Sequence, residues 1–174
     1  MLKNNKKSIK VTHDFLNLNE HIYVLCKNFT FYNQDEYNNR FNVNESWPGQ
    51  RTFNLSQENP FLHIHLLSIL EMNGVEINKY KDIVSHCHIR FAEDNSKDWA
   101  HVDPNMDTAI IYLSKTNLNS GTKFFNTQNQ EIASIAFVQN TCVFFEEPLL
   151  HSSFGNHGDN IDNARMTLNI FCHK

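Results

Sequence analysis

A mainly β domain, a sandwich or barrel with helices on one outer face, is the fold this sequence predicts. Three observations point there. The second half of the chain is a succession of short alternating segments separated by polar turns. The composition, with 14 Phe, 5 Tyr and 2 Trp, leans toward sheet. The first half instead shows helical spacing and helix punctuation. The 174 residues suit one domain spanning 1–174, helical over about 1–79 and strand-rich over about 80–174.

Ile9 to Thr12 reads as a short strand. Leu18 to Phe29 places Leu18, Ile22, Leu25 and Cys26 at helical spacing. Asn59-Pro60 then opens a segment that ends near Gly74, with Asn59 as N-cap, Pro60 at the first helical position and Gly74 as the stop. Within it Phe61, Ile64, Leu67, Leu70 and Glu71 carry the helical repeat.

After Tyr80 the period changes. Ile83, Ser85, Cys87, Ile89 and Phe91 alternate with Val84, His86, His88 and Arg90, as a strand requires. Further strands are expected at Thr108 to Leu113, Gly121 to Phe125, Ile132 to Val138, Thr141 to Phe145, Leu150 to Phe154 and Arg165 to Cys172. Asp94-Asn95-Ser96, Asn117 to Ser120, and Gln139-Asn140 read as the turns between them. Many short strands in succession make a sandwich or barrel.

Charge and cysteine usage narrow the function. A net charge of -4 and a pI near 6.2 provide no basic field for nucleic acid. The one basic cluster, Lys3, Lys6, Lys7 and Lys10, reads as a solvated terminus. No apolar run reaches membrane-spanning length, and the first residues lack a signal peptide's apolar core, so a cytoplasmic location is expected. Cys26, Cys87, Cys142 and Cys172 are widely spaced in apolar segments, as reduced, buried thiols are.

One constellation carries chemistry. His101-Val102-Asp103 places two potential metal ligands on one side of an extended chain. With ten His in the sequence such a pair means little alone. His151 follows the apolar segment Thr141 to Phe145 and a short turn at Glu146-Glu147-Pro148. Two imidazoles and one carboxylate on one face of Fe(II) leave positions open for a 2-oxo acid and then O2. Arg165 and Thr167, two apart on the last strand, share one face and can hold a distal carboxylate through charge-assisted hydrogen bonds.

In this order the segments resemble the core of prolyl-4-hydroxylase-like 2-oxoglutarate/Fe(II) oxygenases. The resemblance covers about residues 80 to 174 and rests on His101 to Asn105, Thr108 to Ser114, Ser120 to Phe124, Cys142 to Phe145 leading to His151, and Arg165 to Leu168. Trp47-Pro48-Gly49-Gln50-Arg51-Thr52 is similar to a motif of uncharacterised bacterial and phage members. The resemblance implies a double-stranded β-helix, or jelly roll, with iron at its mouth held by His101, Asp103 and His151. It implies 2-oxoglutarate held by Arg165, Thr167 and the phenol of Tyr112. It further implies a hydroxylase that consumes O2 and releases succinate and CO2, in the cytoplasm of a bacterium or a phage-infected host.

Two departures stand out. The family's Gly-Gly-x-Thr turn reads Ser120-Gly121-Thr122, which keeps one glycine. The stretch from Gly155 to Asn163 is long and contains His157, a rival to His151 as third ligand; His151 is preferred because it directly follows a buried strand. Asp103 favours hydroxylation, since related halogenases carry a small residue there.

Blander roles stand beside the sharp ones. Trp99 either lines the substrate mouth or packs on the surface. Arg51 either receives an anionic group or holds a turn. His86 and His88 share a strand face and either approach the site or are satisfied elsewhere. His63 and His65 point apart on a helix. The substrate stays open among a small molecule, an amino acid and a protein side chain. The alternative classes are a cupin-like metal- or ligand-binding jelly roll without oxygenase activity, and a structural or interaction module.

Overall fold

The computed structural model describes residues 8–94 and 99–174. Lys3, Lys6 and Lys7 of the basic cluster, and Asn95 and Ser96 of the expected turn, lie outside the described residues.

The strands are β1 (Ile9–Thr12), β2 (Gln50–Arg51), β3 (Asp82–Arg90), β4 (Met106–Tyr112), β5 (Asn117–Phe125), β6 (Glu131–Phe137), β7 (Thr141–Phe145), β8 (Leu150–Phe154) and β9 (Arg165–His173). They form a larger antiparallel sheet in the order β1-β7-β4-β9-β3-β2 and a smaller one in the order β6-β5-β8. His101 joins the free edge of β8 through an isolated antiparallel bridge to His151, which widens the smaller sheet at the mouth. This is the double-stranded β-helix.

Period-two alternation assigns the two faces of the larger sheet opposite work. Cys87 and Ile89 of β3, Ala109 and Ile111 of β4, and Met166, Leu168, Ile170 and Cys172 of β9 face the helices in the main core. A second cluster, with Ile110, Tyr112, Phe124, Phe137, Val143 and Phe145, closes one end of the space between the sheets. The other end of that space is polar, and it is where the site lies.

The helices are α1 (Asn19–Cys26), α2 (Gln34–Phe41), α3 (Leu55–Glu58) and α4 (Pro60–Met72). Helix α4 starts as its sequence requires: the Asn59 side chain accepts from Leu62 N at 3.1 Å, and Pro60 occupies the first turn. Gly74, at φ +85°, follows its end. The buried face, however, is Leu62, His63, Leu66, Ile69 and Leu70. Phe61 and Ile64 of the expected repeat are 86% and 59% exposed. Apolar residues surround this helix on nearly every side, so spacing alone does not select a face. The docking does: His63 Nδ1 meets Ser85 Oγ of β3 at 2.8 Å.

Helix α2 buries only Tyr37 and has no apolar stripe, so its signal is the Asn33–Glu36 capping box. Asn117 to Ser120, expected as a turn, instead begins β5, with a register shift between Asn117 and Gly121. Gly121 is obligatory there, because a Cβ would lie 2.0 Å from the Ile135 carbonyl oxygen. Gln139-Asn140 is the expected turn, with Asn140 at φ 60°. No helix among the described residues is long and apolar enough to cross a membrane.

Candidate metal centre and cavity

His101 and His151 are brought together by the backbone. Each donates its N–H to the other's carbonyl at 2.9 Å, so their side chains share one face and their ring centroids lie 4.5 Å apart. Asp103 completes the group, with Oδ1 3.7 Å from His101 Nε2 and Oδ2 3.6 Å from His151 Nε2. One ligand atom from each residue lies within 4.8 Å of the others, and no other such group occurs among the described residues.

Both imidazoles are oriented by their own backbone. His101 Nδ1 lies 3.2 Å from the Trp99 carbonyl and His151 Nδ1 lies 3.0 Å from the Leu149 carbonyl. A carbonyl oxygen can only accept, so each Nδ1 carries a proton, which leaves Nε2, the atom nearer Asp103, as the one that can serve a metal. Burial lowers the pKa of His151 and favours the neutral imidazole that metal ligation needs. Thr108 Oγ1 donates to Asp103 Oδ2 at 2.6 Å and fixes that carboxylate.

The loop that carries Asp103 is anchored below. Buried Asp107 accepts from Tyr80 Oη at 2.7 Å, from Lys174 Nζ at 2.6 Å and from Glu147 N at 3.1 Å. Burial opposes its ionisation, but Lys174 and these hydrogen bonds prevail and hold its pKa below the usual value. Lys174 N also donates to Asn105 O at 2.9 Å.

Behind the metal group lies a cavity of about 110 Å³ between the two sheets. Arg165 and Thr167 of β9 line it, as the two-residue spacing predicts, followed by Asn169 and Phe171 on the same face. Arg165 is buried, donates to Gly121 O at 3.3 Å, and lies 5.4 Å from the Phe137 ring centroid. Arg90 stands opposite Arg165 in register, with its Nε 3.1 Å from Asp94 Oδ2 and its Nη1 3.3 Å from Ser153 Oγ. Asp94 offsets the Arg90 charge, so Arg165 is the guanidinium that lines the cavity wall. The Thr167 hydroxyl is buried with no hydrogen-bond partner among the described residues. A buried orphan hydroxyl beside a guanidinium suits a carboxylate ligand.

Three placements differ from their sharp readings. Tyr112 is fully buried in the inter-sheet cluster, and its phenol donates to Thr122 Oγ1 at 2.8 Å. It does not line the cavity; Thr122 does. His157 is outside the metal group and packs its ring 5.5 Å from that of Phe137. Arg51 is buried, paired with Glu45 and stacked on Trp47 at 3.5 Å from the ring centroid, which is a structural role.

Other residues came nearer the cavity than expected. His88 lines it, with Nε2 2.7 Å from Pro48 O, and burial pushes its pKa down to about 3, with Arg165 adding to the effect. His86, on the same strand face, is not among the lining residues and is bonded to Thr52 O at 3.0 Å. Trp99 is 41% exposed beside His101, its ring 6.2 Å from that imidazole. Trp47 and Asn169 are new lining residues. Continuing the alternation past Thr167 finds Asn169, whereas nothing in the sequence places Trp47 there.

A double-stranded β-helix with two histidines and one carboxylate converging at its mouth is the architecture defined here. Its structural neighbours are prolyl-4-hydroxylases and other 2-oxoglutarate/Fe(II)-dependent oxygenases, at low sequence identity. A prolyl-4-hydroxylase from Pseudomonas putida aligns over 97% of this chain and 94% of its own, with TM-score 0.62 and 14% identity. A Trichoplax adhaerens prolyl hydroxylase, solved with a hypoxia inducible factor peptide, aligns over 97% and 84%, with TM-score 0.62 and 12% identity. A non-heme alpha-ketoglutarate-dependent carbocyclase of nogalamycin biosynthesis aligns over 97% and 80%, with TM-score 0.64 and 12% identity. No protein-family model matches the sequence, and no curated protein matches it.

Proposed function

We propose that this chain is an Fe(II)- and 2-oxoglutarate-dependent dioxygenase that hydroxylates a substrate. The observation that carries the reading is the convergence of His101, Asp103 and His151 on one point, with each imidazole's Nδ1 held by a backbone carbonyl. This donor set suits Fe(II) with open positions. Bound iron and 2-oxoglutarate supply oxidation by O2, with succinate and CO2 as by-products.

The chain's own groups bind and orient. His101, Asp103 and His151 hold the metal, and Thr108 holds the Asp103 carboxylate in place. Arg165 anchors the far carboxylate of 2-oxoglutarate, and the Thr167 hydroxyl donates to it. Tyr112 acts at one remove, by positioning Thr122 on the cavity wall. The walls restrict water, and no side chain acts as a separate acid or base. The Arg165 guanidinium on the cavity wall and the orphan Thr167 hydroxyl favour this reading over a cupin-like binding module without oxygenase activity.

Succinate release from 2-oxoglutarate tests the reading. Purified protein supplied with Fe(II), 2-oxoglutarate and air is expected to form succinate slowly, and faster when a pool contains its substrate. Succinate formation that is the same in wild type and Asp103→Ala counts against it.

A further inference from the structure

Two polar atoms of the cavity are left unused by the contacts proposed above. Trp47 Nε1 and Asn169 Oδ1 are buried, belong to cavity-lining residues, and have no hydrogen-bond partner among the described residues. Such orphans are few in native proteins and call for a ligand or water.

The identity of each orphan follows from the bonds around it. The indole Nε1–H is a donor only. For Asn169 a short relay decides. Pro48 O can only accept, so His88 Nε2, 2.7 Å away, carries the proton. Burial keeps His88 neutral, so its Nδ1 is an acceptor. Asn169 therefore turns its amide nitrogen to that Nδ1, at 3.4 Å, and leaves Oδ1 as an acceptor. Trp47 is held in place by the Arg51 guanidinium over its ring and by Tyr37 edge-on at 4.9 Å. The strap carrying it lies flush on β3, since a Cβ at Gly49 would come 2.6 Å from Ile89 O.

We propose that Trp47 Nε1–H and Asn169 Oδ1 form a substrate subsite that takes an uncharged amide. The amide C=O accepts from Trp47 and the amide N–H donates to Asn169. A carboxylate has no proton for Asn169 Oδ1. An ammonium has no lone pair for Trp47 and shares the cavity with the Arg165 guanidinium. A peptide bond and the carboxamide of a small molecule present the same chemistry. The inference rests on the oxygenase reading, since it treats this cavity as the reaction chamber.

The test uses the indole N–H signals of the full chain, which has two Trp, in 15N-correlated NMR of the metal-free protein; Trp99→Phe assigns them. Propionamide is expected to move the Trp47 signal in a saturable way, while propionate and 1-propanol at equal concentration do not. N-methylacetamide distinguishes the sources: a response to it supports a peptide bond, and a response to propionamide alone supports a primary carboxamide. Asn169→Leu is expected to weaken the amide about fivefold, the size of one neutral hydrogen bond. The His88 ring nitrogens, read in wild type, are expected to show the Nε2–H tautomer. An Nδ1–H tautomer, no amide response, an equal response to propionate or propanol, or a Trp47 shift caused by 2-oxoglutarate alone each overturns the proposal. The oxygenase reading fails by a different sign, the absence of succinate, which leaves the Trp47 titration readable.

Discussion

Replacing Tyr112 with Phe separates a residue that touches 2-oxoglutarate from one that supports the cavity wall. The phenol is fully buried, donates to Thr122 Oγ1 at 2.8 Å and lies 3.4 Å from Ile135 O. Its removal costs a neutral hydrogen bond, about 1 kcal/mol net, and up to about 3 if the partner stays unsatisfied. Thr122 lines the cavity, where water can replace the lost donor, so the low end applies. About 1 kcal/mol corresponds to a fall in Tm of roughly 2–4 °C for a chain of this size. Thermal melting of the apoprotein reads this change, and titration of 2-oxoglutarate into the anaerobic Fe(II) protein reads affinity. Tyr112→Phe is expected to lower Tm by that amount and to change 2-oxoglutarate affinity less than about threefold, since no direct contact is lost. A loss of affinity above roughly tenfold with unchanged Tm would mean a hydrogen bond from the phenol to the cosubstrate, and would refute the indirect role.

Arg165→Ala is expected to weaken 2-oxoglutarate at least thirtyfold, on the order of a buried charge pair losing one partner, while Fe(II) binding stays within about twofold; parallel loss of both indicates misfolding. Thr108→Val removes the hydrogen bond to Asp103 and is expected to weaken Fe(II) roughly tenfold, measured by competition with a chelator. His86 gives a pH dependence. Burial, and then Arg51, lower its pKa to about 4 from 6.5, so its contribution is complete above pH 6.5 and lost as pH falls toward 4. Between pH 7 and 5 wild type should lose about 2 kcal/mol more stability in urea unfolding than His86→Gln; equal losses contradict a neutral buried His86. On α4, Phe61→Ser should change stability by less than about 0.5 kcal/mol and Leu66→Ala by about 3, and the reverse order would mean that the helix docks through its other face.

What the sequence made legible was what short-range periodicity governs. His101-x-Asp103 and Arg165-x-Thr167 each share a face because extended chains alternate. Asn59-Pro60 starts α4 because of orphan helical N–H groups. Long-range pairing was not legible. The His101–His151 bridge and the Arg90–Arg165 register join segments far apart in sequence. Tyr112 faces inward as alternation requires, but its depth depends on Phe137 stacking over it at 4.4 Å. The face of α4 was ambiguous because its apolar residues surround the helix. Trp47 reaches the cavity only because a strap around Gly49 crosses β3.

The most direct test of the central claim is the weak visible charge-transfer band of anaerobic Fe(II) with 2-oxoglutarate. The expected result is a band in wild type that saturates with 2-oxoglutarate and is lost in His101→Ala and His151→Ala, but retained in His157→Ala. No band in wild type, or a band that survives in His101→Ala, contradicts iron held by His101, Asp103 and His151.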